Sequence, residues 1–299
     1  MSNPIPPEYF KAGSIASRVR ESIRKSVTSD ARIIDICEEV ESMIGDLGGK
    51  PAFPCNVCIN DIAAHYTAEP ADKGRLHDND IVKIDIGVHV EGYIADTATT
   101  VSFDPRFVDL LDATEVTLNE ALSAAKEGVR LGEIGRIVSD CSKRRGFRPI
   151  VNLSGQSLDR YKIHAGKSIP NSWVPGSVQF THGEVYAIEP FLTLPDGAGL
   201  VREGSKTTIF SMITRKRTGD KDLDRLCDTI WSRYRTLPFA IRWLNDVLEP
   251  VDTRSLISKL IKRKIIRGYA VLVEEKGKPV AQFEHTVVLA EDGTKIITK

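Results

Sequence analysis

The stretch Ile81-Val-Lys-Ile-Asp85-Ile-Gly-Val-His-Val-Glu-Gly-Tyr-Ile-Ala-Asp96 decides how the chain is read. The β-branched residues Ile81, Val82, Ile84, Ile86, Val88, Val90 and Ile94 form runs, and Glu91-Gly92 is a turn signal, so the pattern predicts a hairpin over about 81–101. Side chains alternate faces along a strand, so an acid in an apolar row must be paired, protonated or bound to metal. Asp85 stands between Ile84 and Ile86, and Asp96 lies on the returning arm. Two inward aspartates on adjacent strands repel unless a cation lies between them. Either one taken alone also fits a capping or turn aspartate.

Before the hairpin, Tyr9, Phe10, Ile15, Val19 and Ile23 recur at helical spacing over 8–28. A second helix is expected after Ser29-Asp30, read as its N-cap, carrying Ile33, Ile34, Ile36, Val40 and Ile44 up to Gly48-Gly49-Lys-Pro51. After the hairpin, helical patterns over about 106–127 and 132–145 close at Gly128 and Gly146, and a loop-rich stretch, 151–166, follows. Strands are expected near 184–194 and 207–214, a helical region over about 219–266, and a strand over Gln282–Leu289. The order is α+β.

Glu189, in Val-Tyr-Ala-Ile-Glu-Pro, and Glu284, in Gln-Phe-Glu-His-Thr-Val-Val-Leu, repeat the pattern of an acid in an apolar strand. Convergence on a divalent metal would offset the cost of burying four carboxylates, and oxygen ligation suits manganese, cobalt or iron, with zinc as a further choice. The chain has 41 basic and 41 acidic residues, so no net field draws it to nucleic acid or an anionic membrane. No apolar run approaches the roughly eighteen residues of a membrane span and no signal peptide is legible, so a cytoplasmic protein is expected. The five cysteines are odd in number and sparse. Cys55-x-x-Cys58 has no second Cys or His pair at zinc-finger spacing and reads as two reduced thiols.

The segments Ala-Ala-His65-Tyr-Thr, Lys-Ile-Asp85 through Asp96-Thr-Ala, Tyr-Lys-Ile-His164-Ala-Gly, Glu-Val-Tyr-Ala-Ile-Glu189-Pro and Gln-Phe-Glu284-His-Thr occur in the order found in type 2 methionine aminopeptidases. The chain resembles that family, in its archaeal form, over nearly its whole length, including Thr236-Leu-Pro-Phe-Ala-Ile-Arg-Trp-Leu244. The resemblance implies a pita-bread fold: one catalytic unit over 1–299, two similar α+β halves related by a pseudo-twofold axis, and a helical insert at 215–268. It implies two divalent ions, cobalt, manganese, iron or zinc, held by Asp85, Asp96, Glu189 and Glu284, with Asp96 and Glu284 bridging. A hydroxide held between the ions would attack the carbonyl after the initiator methionine. Glu189 would carry its proton to the leaving amine.

By the same resemblance His164 would stabilise the tetrahedral intermediate, His65 would contact the peptide near the scissile bond, and both would bind substrate. Phe53, Ile163 and Tyr269 would wall the methionine pocket. Each of these five residues also has an ordinary structural reading, and His285 keeps that reading. The implied partner is the N-terminal methionine of nascent polypeptides, with a transient ribosome contact, no membrane, no specific nucleic acid, and a monomeric chain.

One position departs from the family. Its fifth metal ligand is a histidine in a segment like Asn-Leu-Ser-Gly-His, and here Asn152-Leu-Ser-Gly155 is followed by Gln156. An amide oxygen is a poorer donor to a transition metal than imidazole, and the NH₂ cannot ligate. One metal is therefore expected to be weakly held. His182 reads as a turn residue, a strand's length from that position, and is not expected to replace it. Three functions follow: an active methionyl aminopeptidase, a catalytically weakened or inactive peptide-binding homologue, and a proline-directed aminopeptidase, which would usually carry a further N-terminal domain.

Overall fold

A computed structural model describes residues 4–247 and 250–299. The chain opens with two helices, α1 (Pro7–Ser26) and α2 (Ile33–Asp46), followed by short strands β1 (Lys50–Pro51), β2 (Asn56–Ile59) and β3 (Ile62–Ala64). The hairpin that the sequence predicted is formed by β4 (Ile81–Val90) and β5 (Tyr93–Ser102), turning at Glu91-Gly92. Helices α3 (Val108–Ala124) and α4 (Leu131–Arg144) come next, then β6 (Arg148–Pro149), β7 (Ser154–Leu158), β8 (Ser168–Pro170), β9 (Val185–Ile188), β10 (Phe191–Thr193) and the long β11 (Val201–Met212). The late helical insert holds α5 (Lys221–Tyr234), β12 (Phe239–Ala240) and α6 (Pro250–Lys262). The chain ends with β13 (Ile266–Glu274), β14 (Val280–Gln282), β15 (His285–Ala290) and β16 (Gly293–Ile296).

This is an α+β pita-bread arrangement. In the first half, α1 and α2 bury Ile15, Val19, Ile36 and Val40 against Val57, Ile84, Ile86 and Val88 of β2 and β4. In the second, α3 and α4 bury Leu118, Ile134 and Val138 against Tyr186, Ile188 and Val287 of β9 and β15. Here the sheet runs β16-β15-β9-β7-β8. The two halves meet where Ala98 of β5 and Glu284 exchange backbone hydrogen bonds, Ala98 N to Glu284 O at 3.4 Å and Glu284 N to Ala98 O at 3.2 Å. That junction brings acids from distant parts of the sequence together.

The insert has its own core of Phe210, Leu226, Ile230, Phe239, Leu244 and Ile266. It is tied to α2 by the buried ion pair of Arg242 with Glu41, and Trp243 Nε1 donates to the other Glu41 oxygen at 2.7 Å. A buried charge pair of this kind adds little net stability, because the cost of taking both charges out of water offsets their attraction, whereas removing one partner alone would strand the other. Among the described residues, no helix is long and apolar enough to cross a membrane.

Several local expectations need correction. Ser29-Asp30 does not cap α2: Asp30 takes a left-handed φ of 71°, its N–H donates to Leu76 O, and the helix starts at Ile33 without a side-chain cap. The stretch 151–166 is not all loop, since β7 lies inside it and pairs with β8 and β9. Residues 219–266 are not continuously helical but broken by β12 and a 3₁₀ turn. The strand at Gln282–Leu289 is interrupted at Phe283-Glu284, where the chain leaves β14's partner β10 and joins β9.

Candidate metal centre and peptide cavity

In the β4–β5 register Asp85 faces Ala98 and Gly87 faces Asp96. Asp85 and Asp96 are thus diagonal neighbours on one face of the hairpin, the face on which side chains two residues apart lie. The interstrand bridge sets Glu284 directly beside Ala98. One ligand atom from each of Asp85, Asp96 and Glu284 falls within 4.8 Å of the others.

Asp96 is 3% exposed and Glu284 1% exposed, so three carboxylates would be crowded together away from bulk water if all were ionised. Burial pushes Asp85 up to about 7, and burial together with neighbouring carboxylates drives Asp96 and Glu284 well above the ordinary range. Asp85 Oδ1, Asp96 Oδ1 and Glu284 Oε1 are buried and have no hydrogen-bond partner. Orphaned anionic oxygens converging on one point are the donor set of a divalent cation, which relieves both the desolvation and the repulsion. The residues fit a metal.

Glu189 stands just past β9, beside this trio, and burial followed by the Asp85 charge raises its proton affinity well above normal. Gln282 Nε2 donates to Glu189 Oε2 at 3.1 Å and to Glu284 Oε2 at 3.5 Å. Sequence reasoning missed Gln282, although its place two residues before Glu284 was a signal. It also missed Asn56, which faces Asp85 across β2–β4 and whose buried Oδ1 has no partner.

Gln156 lies on β7 opposite Ala187, not on a loop, and is 7% exposed. Its Nε2 donates to Asp96 Oδ2 at 3.2 Å. The neighbouring Gly155 is required by packing: a Cβ there would stand 2.3 Å from Ala187 O. His182 sits in the turn before β9 and does not line the cavity.

Asp85, Asp96 and Glu189 open into a cavity of about 230 Å³, lined also by Phe53, Asn56, His65, Gln156, Ile163, His164, Ile209, Pro238 and Tyr269. A larger groove of about 610 Å³ along α5 is lined by charged and polar side chains such as Arg217, Asp224 and Asp228, and has no converging orphaned groups. Phe53 lies against Gly87, where a Cβ would come within 2.2 Å of the ring. Only glycine lets the ring approach the metal strand so closely.

His65 follows β3 at a left-handed φ of 66°, a conformation that costs a non-glycine residue on the order of 1–2 kcal/mol. Its Nδ1 lies 3.2 Å from Ala270 O, so Nδ1 carries the proton and Nε2 is left as an acceptor. Burial lowers its proton affinity and keeps it neutral. Tyr269 packs edge-on against it, ring centroids 5.6 Å apart. His164 is exposed at the mouth, and desolvation of its inner side, then the neighbouring His65 imidazole and the Arg267 charge, which disfavour a further positive charge there, lower its proton affinity too. His285 is occupied structurally, its Nδ1 2.9 Å from Thr298 Oγ1.

Residues 8–291 match the model of metallopeptidase family M24. The chain belongs to that family. It is 42% identical over 290 residues to a methionine aminopeptidase of Saccharolobus solfataricus, covering 96% of each protein. Its fold is also that of a thermophilic Arx1 structure, with a TM-score of 0.85, 19% identity and coverage of 99% of this chain and 91% of the other. A methionine aminopeptidase from Thermotoga maritima superposes with a TM-score of 0.70 at 22% identity, over 100% of this chain and 99% of that one.

Proposed function

We propose that this M24 metallopeptidase removes the N-terminal methionine of nascent proteins and is of the type 2 class. The observation that carries the reading is the trio Asp85, Asp96 and Glu284, with orphaned oxygens, two of whose members, Asp85 and Asp96, line a cavity whose walls include two neutral histidines and an apolar pocket. The late helical insert, which supplies Pro238 to the cavity wall, and the similarity to archaeal methionine aminopeptidases support the type 2 assignment.

Asp85, Asp96 and Glu284 would hold the metal, with Glu189 as a further ligand to a second ion. Bound there, divalent metal would supply Lewis-acid activation of water and of the scissile carbonyl. Phe53, Ile163 and Tyr269 give an unbranched apolar side chain such as methionine a dry pocket. His65, with its free Nε2 lone pair, accepts from a substrate N–H. His164, neutral and at the mouth, donates to oxygen as negative charge develops. Glu189 has a raised proton affinity and two partnering amides, which suits it to take a proton and release it to the leaving amine.

Gln156 would leave a second ion the more weakly held, because the amide presents its N–H to Asp96 where imidazole would present a lone pair. The same feature favours a second reading, a peptide binder of reduced activity. Cleavage of Met-Ala-Ser and Ala-Pro-Ser peptides by protein loaded with manganese, cobalt or iron separates the readings. Turnover of the methionine peptide alone supports ours, and binding without turnover at any metal concentration supports the second.

A further inference from the structure

The wall formed by β11 and β13 extends beyond the cavity. In its register Ile209 faces Tyr269, and Ser211 faces Arg267. Ile209 and Tyr269 line the cavity, and Ser211 and Arg267 lie on the same strand face one row farther along. The intervening residues Phe210, Met212 and Ile266 point the other way, into the core of the insert. At about 3.4 Å per residue, the Arg267 row is roughly 6.8 Å from the Tyr269 row. An extended peptide advances by the same distance over two residues.

Arg267 is exposed but held. Its Nε donates to Ser211 Oγ at 3.1 Å, its Nη2 to Tyr269 Oη at 2.8 Å, and its guanidinium lies 5.0 Å from the centre of the Tyr269 ring. Among the described residues it has no acidic partner, and Nη1 is uncommitted. Like His164, which lines the cavity and whose proton affinity its charge lowers, Arg267 is exposed to solvent. A fixed guanidinium with an open N–H edge is suited to a carboxylate, and fixing it beforehand removes most of the ordering cost of using it.

We infer that Arg267 reads the substrate two residues beyond the group held at Tyr269, and that the enzyme favours peptides whose third residue is aspartate or glutamate. This rests on the proposed methionine-peptidase reading. A charge-assisted contact at a half-solvated rim corresponds to about 5-fold or more in kcat/KM.

The test compares Met-Ala-Glu-Ser, Met-Ala-Gln-Ser and Met-Ala-Lys-Ser in the metal-loaded wild type, Arg267→Gln and Arg267→Glu, by turnover and by equilibrium binding. The expected order in the wild type is Glu over Gln over Lys, narrowing as salt rises. Arg267→Gln should bring the three together, and Arg267→Glu should invert them. A residue that only positions Tyr269 would scale all three peptides equally, so an unchanged ratio in Arg267→Glu, or no preference in the wild type, overturns the inference. If no peptide is cleaved, the proposed activity fails, but the binding ratios still decide the role of Arg267. Absence of binding would overturn both.

Discussion

Replacing Gln156 by histidine puts back an imidazole at the one position where this metal centre departs from the donors its family resemblance implies. The Gln156 amide nitrogen is 3.2 Å from Asp96 Oδ2, so an imidazole reaching the same place adjoins a carboxylate of the trio without a change of backbone. Gln156 is on a paired strand and only 7% exposed, which fixes the direction of whatever side chain replaces it. Exchanging an N–H donor for a nitrogen lone pair should tighten the weaker ion by about 10–100-fold, or roughly 1.4–2.8 kcal/mol. Titration of metal-free protein with manganese by calorimetry reads this directly. The wild type should show one tight event and one weak event, and Gln156→His should bring the weak one closer to the tight one. Activity should rise most at limiting metal and converge at saturation, since mass action fills even a weak site. Identical isotherms for the two proteins would refute the assignment of Gln156 to the metal centre.

Other perturbations probe other parts of the account. Glu284→Gln removes one charge of the trio and should lower bound metal and turnover by at least 100-fold, as metal analysis of the purified protein and peptide cleavage would reveal; full metal content would contradict the site. Gly87→Ala places a methyl group within 2.2 Å of the Phe53 ring, so it should displace the ring, raise KM for methionine peptides and destabilise the fold by about 1–3 kcal/mol; an unaltered KM would remove Phe53 from the pocket. In metal-free protein Asp85 is raised from its ordinary 3.8 to about 7, so it contributes stability below about pH 4 that is lost as pH rises through about 7. Thermal denaturation should therefore show Tm of the metal-free protein falling between about pH 4 and 7, with added metal reversing the fall; a Tm that rises over that range would speak against the crowded carboxylates.

Much of this architecture was legible from local pattern. The hairpin around Asp85 and Asp96 shows clearly because its strands are long, β-branched and joined by a Glu-Gly turn, and each half of the register is local. Helices α1 to α4 were legible for the same reason: apolar residues at helical spacing, with clear glycine stops after α2, α3 and α4. What resisted reading depends on contacts between distant segments. β7 has no apolar alternation of its own and exists because β8 and β9 pair with it on either side. The break at Phe283-Glu284 follows from β14 and β15 joining different sheets, which the continuous run Gln-Phe-Glu-His-Thr-Val-Val-Leu conceals. Gln282, Asn56 and Arg267 gain their roles from neighbours across strands, 29 or more residues distant, that the linear sequence does not juxtapose.

The central claim is that Asp85, Asp96 and Glu284 hold divalent metal in order to hydrolyse a methionyl peptide bond. Metal-free protein titrated with manganese while cleavage of Met-Ala-Ser is followed tests it most directly. The account predicts no turnover without metal, turnover that appears in step with the first bound ion or ions, and loss of both binding and turnover in Asp96→Asn. Metal-independent turnover, or tight binding undiminished in Asp96→Asn, would contradict it.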